Sequence, residues 1–156
     1  MTRAKLPRSA QGFTLLEVLV AVLVLSLGLL GLAALQSAGL RQNHSAYHRS
    51  QATLLAYDII DRMRANKVTA EADGYVLAKT STPPSFTVDC ITTSCLSGAD
   101  LAAFELNDWI GRISQTLPMG QGEVAPLAAG IVTVTVAWDD NHSGAANQQF
   151  AMSTQL

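Results

Sequence analysis

Gly12-Phe13-Thr14-Leu15-Leu16-Glu17-Val18-Leu19-Val20-Ala21 opens an apolar run that organises the rest of the chain. From Val18 to Leu35 no residue carries a charge. That is about 18 positions, close to the roughly 20 that an α-helix needs to cross a bilayer. Arg3, Lys5 and Arg8 precede the run as a short basic leader. Glu17 stands alone as an acid among apolar side chains. An ionised group in such surroundings is costly and calls for a compensating partner.

The junction resembles the class III signal of type IV prepilins and pseudopilins. The resemblance rests on the basic leader, on Gly12 and Phe13, on a glutamate at the fifth residue after the cut, and on the unbroken apolar run. It implies that a membrane prepilin peptidase cleaves after Gly12 on the cytoplasmic side, and that the new amino terminus, Phe13, is N-methylated. A secretory signal peptide is cut after its apolar region, beside small residues. Here the implied cut precedes the run, so the run stays in the mature chain as an anchor. Glu17 lies four residues from the Phe13 amine, on the same side of a helix. Methylation leaves that amine cationic, so the carboxylate can be compensated by an ammonium, its own or a neighbouring subunit's. Such a pair acts mainly as a register device. The competing reading is an ordinary signal anchor with an accidental acid.

Length allows one domain plus the anchor. Mean hydropathy is +0.24 and 14% of residues are charged, with the apolar bias concentrated in Val18–Leu35. Loss of residues 1–12 removes three of the 10 basic residues and none of the 12 acidic ones, so the formal charge moves from −2 to −5. A net acidic chain with no later Lys/Arg cluster argues against nonspecific nucleic-acid binding, which wants a concentrated basic patch. The positive-inside comparison is nearly balanced, with three basic residues before the anchor against Arg41 and Arg49 soon after it. The cytoplasmic placement of the N-terminus therefore follows from the prepilin resemblance, and with it a single pass through the bacterial inner membrane and a periplasmic C-terminal domain.

Cys90 and Cys95 enclose four residues. In an oxidising periplasm they are expected to form a disulfide, whose small loop contributes on the order of 2 kcal/mol. The rival is half a zinc site, which would need ligands from His44, His48 and His142. His44 and His48 have helix-face spacing compatible with a metal, but no carboxylate joins them in a recognised pattern. No metal site and no cofactor is expected.

Phe13 to about Asn66 contains no proline and reads as one helix, about 80 Å long at 1.5 Å per residue. Gly28 and Gly31 lower its propensity by up to about 1 kcal/mol each. Beyond Gln36, Ala52, Leu55, Ile59 and Met63, flanked by Ala56 and Ile60, form an apolar stripe. The stripe is expected to carry a docked globular domain; a groove for a partner helix is the alternative. Asp58/Arg62 and Asp61/Arg64 sit on the polar side.

Asp73-Gly74 marks a turn, and Tyr75 to Ala78 a short β-like segment. Thr80–Ser85 reads as a loop and Phe86–Val88 as a short strand. Asp100 is the expected N-cap of a second helix, Leu101 to about Leu117, ended by Pro118 and Gly120. Residues 120–130 read as an irregular loop. Ile131–Trp138 is the strongest strand. Asp139–Gly144 reads as a solvated hairpin loop, and Gln149–Thr154 as the returning strand. Asp139-Asp140-Asn141 could suggest calcium, but lacks the regular oxygen spacing and closing acid of a calcium loop. Trp109 and Trp138 are expected in the core rather than as a stacking platform for bases.

Gly28–Gln36 and Arg49–Asn66, together with the final hairpin and Ser153–Leu156, resemble the type IV pilus modification (PilV) family of minor pilins. That resemblance implies an α+β, type IV pilin-like fold: a long N-terminal helix, transmembrane in its first half, docked on a small antiparallel sheet with an additional helix. The segments are residues 1–12 leader, 13–35 transmembrane or fibre-core half-helix, 36–66 amphipathic half-helix and 67–156 periplasmic globular domain. The implied partners are the prepilin peptidase, other minor and major pilins, the inner-membrane pilus assembly machinery and membrane lipid, with no nucleic acid. The implied role is structural: initiating or modifying pilus assembly. No phosphate loop, nucleophile elbow or Cys-x-x-Cys pair is present, so no enzyme is expected. A type II secretion pseudopilin is the first alternative, and a membrane-anchored DNA-uptake or adhesion module the second.

Overall fold

The computed structural model describes residues 12–156. The leader cations Arg3, Lys5 and Arg8 lie outside the described residues. The chain divides at Asn43 and His44 into two units. The order of elements is α1 (Leu15–Ala65), α2 (Lys67–Glu71), β1 (Leu77–Thr80), α3 (Gly98–Thr116), β2 (Gln121–Val124), β3 (Ile131–Trp138) and β4 (Gln148–Gln155).

The first unit is helical from Leu15 to its end, and every residue from Phe13 to Leu35 is exposed. Its most apolar window has a mean hydropathy of 2.8 with no share buried, so the helix is long and apolar enough to cross a membrane. Gly28 and Gly31 do not break it. Ser26 donates back to the Leu23 carbonyl at 2.8 Å, keeping its hydroxyl satisfied within the helix.

The second unit is an antiparallel four-stranded sheet, in the order β1-β2-β3-β4, packed with α3 and the last turns of α1. The expected stripe is the face that packs: Ala52, Leu55, Ala56, Ile59, Ile60 and Met63 are all buried. Val132, Val134 and Val136 of β3 alternate inward to meet them, as the period of a strand requires. β3 and β4 pair over their full length, from Ile131 opposite Gln155 to Trp138 opposite Gln148.

α1 ends at Ala65, and Asn66 satisfies the groups around the break. Its amide donates to the Gly98 carbonyl at 2.7 Å and to the Tyr75 hydroxyl at 3.2 Å. Tyr75 in turn donates to Glu105. Burial pushes the Tyr75 phenol well above its usual range, and the bond to the Glu105 carboxylate adds to the rise. The expected strand at Tyr75–Ala78 begins two residues later, at Leu77, because Tyr75 is committed to the core.

Three further expectations are corrected. Phe86–Val88 forms no strand; Phe86 instead packs edge-on against Phe104 at 5.3 Å, and Asn107 holds the neighbouring Pro84 carbonyl at 2.7 Å. The second helix starts at Gly98, with Ser97 as its N-cap. The Ser97 hydroxyl accepts from the Asp100 amide at 3.1 Å and donates to the Asp100 carboxylate at 2.7 Å. Asp100 thus closes the capping pair three residues in and is not the cap itself. Finally, residues 121–124 are not loop but the central strand β2, paired on both edges.

β2 was hidden because Gln121-Gly122-Glu123-Val124 has little β-branched character. Gly122 explains why the segment is nevertheless a strand here. A Cβ at that position would lie 2.7–2.8 Å from the Trp109 ring and 2.6 Å from Ile110 Cδ1. α3 therefore presses on the sheet where the sheet has no side chain. Gly122→Val is expected to destabilise the second unit by about 1–3 kcal/mol through overpacking. Chemical denaturation of the full chain in detergent measures this, and a shift smaller than about 0.5 kcal/mol would show that the helix is free to move away.

Candidate functional site

Two places in the chain carry more chemistry than their folding requires: the start of α1, and the loop between β3 and β4 with its surroundings.

At the start of α1, Thr14 is the cap. The Glu17 amide donates to the Thr14 carbonyl at 3.1 Å and to its hydroxyl at 3.3 Å. Thr14-Leu15-Leu16-Glu17 has the Thr-x-x-Glu spacing of a capping box, a signal that the sequence reading passed over. Glu17 is the only acid in the first turn, where the helix dipole favours negative charge. The carboxylate is thus partly compensated by its own helix end. Phe13 is 83% exposed, and so are the leucines and valines that follow, from Leu15 at 80% to Val18 at 54%. They form one continuous apolar surface, of the kind that marks contact with lipid or other chains. Nothing lies within 4 Å of where a Cβ on Gly12 would sit. A larger residue at Gly12 would therefore meet no obstacle among the described residues. In the uncleaved chain the Phe13 nitrogen is a peptide amide, so any pairing of Glu17 with a terminal ammonium waits on processing.

In the second unit, Arg62 bridges Asp58 at 3.1 Å and Asp108 at 2.8 Å, and Arg112 reaches Asp58 at 2.8 Å. Burial works against the Arg62 charge, but the bond to Asp108 and the fields of Asp58, Asp108 and Glu105 outweigh it and hold its pKa above the usual value. The network ties α1 to α3 beside the apolar core. Arg64 pairs with Asp61 at 3.0 Å and donates to Thr154 on β4 at 3.0 Å.

Cys90 and Cys95 are bridged, with Cα atoms 5.0 Å apart. Asp89 organises the start of that loop, accepting from the Ile91 amide and the Thr92 hydroxyl, each at 3.0 Å. These bonds, the one from Ile91 first, hold its carboxyl below the usual range. Ile91 and Leu96 are 83% and 86% exposed on the loop.

The β3–β4 loop corrects another expectation. Asp139 is not in a solvated turn: it is 1% exposed. Its carboxylate accepts from the Gly144 amide at 2.7 Å, the Asn147 side chain at 2.9 Å, the Asn141 amide at 3.2 Å and the Ser143 hydroxyl at 3.3 Å. Burial opposes its charge, but these bonds, led by those from the Gly144, Ser143 and Asn141 backbone, bring its pKa below the usual value. Gly144 at φ +86° and His142 at φ +59° give the tight path that points those amides inward. Trp138 is buried and donates from its ring to Asp140 at 3.4 Å. Among the described residues, no three His, Cys, Asp or Glu side chains converge in a way that could hold a metal ion. His44 and His48 stack edge-to-face with ring centres 4.2 Å apart, and His48 is buried. It continues the buried stripe one turn ahead of Ala52, which the spacing 48, 52, 55, 59 would have revealed.

Two family models match. Residues 7–33 match the prokaryotic N-terminal methylation motif, and residues 34–107 match Type IV pilin Tt1218. No curated protein and no solved structure matches. The two regions abut, together spanning the apolar helix, its amphipathic continuation and the chain as far as Asn107 of α3. They support a pilin role, and the matched pilin family is structural rather than enzymatic. The motif and the apolar helix point to membrane anchoring and incorporation into a pilus.

Proposed function

We propose that this chain, matched by a prepilin methylation motif and by a type IV pilin model, is a minor pilin of the PilV type. It is held in the bacterial inner membrane by the first half of α1, with the C-terminal domain in the periplasm. The prepilin peptidase cuts between Gly12 and Phe13 and methylates the Phe13 amine. Other minor and major pilins, handled by the inner-membrane assembly machinery, then take the exposed helix into a fibre, where the chain helps to initiate or modify assembly.

The observation that carries this reading is the first unit itself. From Phe13 to Leu35 it presents an exposed surface whose single charge is the Glu17 carboxylate in the opening turn of the helix, five residues after Gly12. A transmembrane anchor needs no acid there; an assembling helix gains a register from one. The match to a type IV pilin over residues 34–107 favours a pilus over a secretion apparatus.

The test is intact mass of the chain recovered from sheared fibres. A mature species beginning at methylated Phe13 is expected. Gly12→Leu is expected to keep the leader attached in essentially all molecules, and because position 12 is open among the described residues, the change is expected to leave the fold untouched. Quantitative trimming of Gly12→Leu, or a natural protein that retains residues 1–12, would overturn the assignment.

A further inference from the structure

The sheet of the second unit has two edges, and they are built differently. β1 is four residues long, carries Lys79 and has a break in its register with β2. Such features keep an edge strand from pairing with another chain. β4 has none of them. It runs for eight residues, Gln148 to Gln155, in unbroken register with β3, and it contains no charge and no proline. Among the described residues no strand lies beyond it.

The hydrogen bonds fix which backbone groups this edge presents. The Leu156 amide donates to the Gly130 carbonyl at 3.4 Å, and on the other side of β3 the Ala125 amide donates to the Thr133 carbonyl at 2.9 Å. Bonding alternates along an antiparallel pair. Phe150, Met152 and Thr154 therefore direct their backbone groups to β3, while Gln149, Ala151, Ser153 and Gln155 turn theirs outward. The side chains alternate too: Phe150 and Met152 are partly buried against the core, and those of the four outward residues are exposed. Two cations reach the end of the strand, and each is already paired. Arg64, on the Thr154 hydroxyl, bridges Asp61 at 3.0 Å; Lys67, on the Leu156 carbonyl, bridges Glu71 at 3.5 Å. The Gln155 carbonyl accepts from the Thr154 hydroxyl at 3.3 Å and keeps a second lone pair.

We propose that β4 is an interface strand, which pairs antiparallel with β4 of a second copy of this chain. Only an extended backbone offers alternating donors and acceptors at the strand spacing of about 4.8 Å, so the occupant is a β segment. It must carry apolar side chains on the core side, to extend the layer of Phe150 and Met152, and uncharged ones on the other. β4 itself meets both conditions over its whole length, and β1, the other edge, does not. A two-fold pairing about Met152 uses every outward backbone group: Gln149 falls opposite Gln155 of the second copy, and Ala151 opposite Ser153. Met152 then lies beside its own counterpart as a non-hydrogen-bonded pair, the arrangement in which side chains come closest. The seam holds no charge, so no like charges face each other along it. It lies in the second unit and does not depend on processing at Gly12, so the inference stands apart from the pilin reading.

Amide hydrogen exchange of the full chain in detergent, resolved by residue and followed against protein concentration, tests the seam. The outward amides of Gln149, Ala151, Ser153 and Gln155 are expected to exchange about tenfold or more slowly at high concentration than at low. Those of Phe150, Met152 and Thr154 are expected to stay protected throughout. Gln149→Lys with Gln155→Lys sets like charges opposite each other and is expected to abolish the slowing. Gln149→Lys with Gln155→Glu sets opposite charges together and is expected to restore it. Both double variants alter exposed side chains only, and continued protection of Phe150, Met152 and Thr154 reports that the strand still forms; the natural chain alone decides the matter if it does not. Outward amides of the natural chain that never gain protection, that gain it equally in the two double variants, or that gain it only when a different pilin chain is added would each overturn the pairing.

Discussion

Glu17→Val is expected to leave the chain in the membrane and to reduce its recovery from sheared fibres by about tenfold or more, equivalent to roughly 1.4 kcal/mol or more of lost association. The substitution removes the one group in the run that disfavours apolar surroundings, so anchoring does not suffer. Two roles compete for the carboxylate. As part of the opening turn, it favours the helix start by about 0.3–1 kcal/mol. As the counter-charge of an N-terminal ammonium, it sets the axial register between packed helices. Glu17→Gln separates them. Glutamine leaves the Thr14 cap on the residue-17 backbone amide in place and forfeits only that small dipole contribution, too little for a loss of about tenfold, but it carries no charge to pair with a methylated amine. Gln behaving like Val in immunoblots of the fibre fraction assigns the carboxylate to assembly. Normal fibre content of Glu17→Gln would reduce it to a helix cap.

Trp109→Ala is expected to destabilise the second unit by about 3–5 kcal/mol, a large share of the 5–15 kcal/mol that holds a typical domain. Trp109 is fully buried, and its ring N–H donates to the Leu55 carbonyl at 2.8 Å, so one side chain joins α3 to α1 by both packing and a hydrogen bond. The same ring lies over Gly122 of β2. Its loss would open a cavity where three elements meet, and the glycine offers nothing to fill it. Trp109→Phe keeps most of the ring and forfeits the N–H, so a smaller loss of about 1–2 kcal/mol is expected. Denaturant unfolding of the full chain, followed by circular dichroism, provides the measurement. An alanine variant within about 1 kcal/mol of the natural chain would mean that the cavity collapses and that Trp109 is not the hinge-pin of the domain. Trp109→Ala and Gly122→Val should also be strongly non-additive, because the cavity made by the first accommodates the methyls introduced by the second.

Several elements could be read before any coordinates. The proline-free span from Phe13, the stripe at 52, 55, 59 and 63, and the β-branched run Ile131–Trp138 carry their periodicity within themselves, and the structure shows them where that periodicity puts them. Thr14 and Ser97 are equally legible, since each stands three residues before an acid whose backbone amide it caps; Asp100, the expected cap, is instead the capped residue. Phe86–Val88 misled in the opposite direction. Its residues suit a strand, but no free edge receives them, and Phe86 finds a better partner in Phe104.

The order of amino acids alone determines where the apolar helix begins, which acid interrupts it, which helix face the domain occupies, and the final hairpin. Those are local matters, decided by spacing along one element. Chain folding had to decide that Gln121–Val124 is a central strand and that Asp139 is buried and gathers a loop about itself. In both cases a group from a distant part of the chain takes part: the Trp109 ring over Gly122, and the Pro118 carbonyl, which accepts from the Asp139 amide at 2.8 Å. Where a segment has no periodic apolar face, its burial depends on what arrives to cover it, and no spacing rule within that segment contains the information.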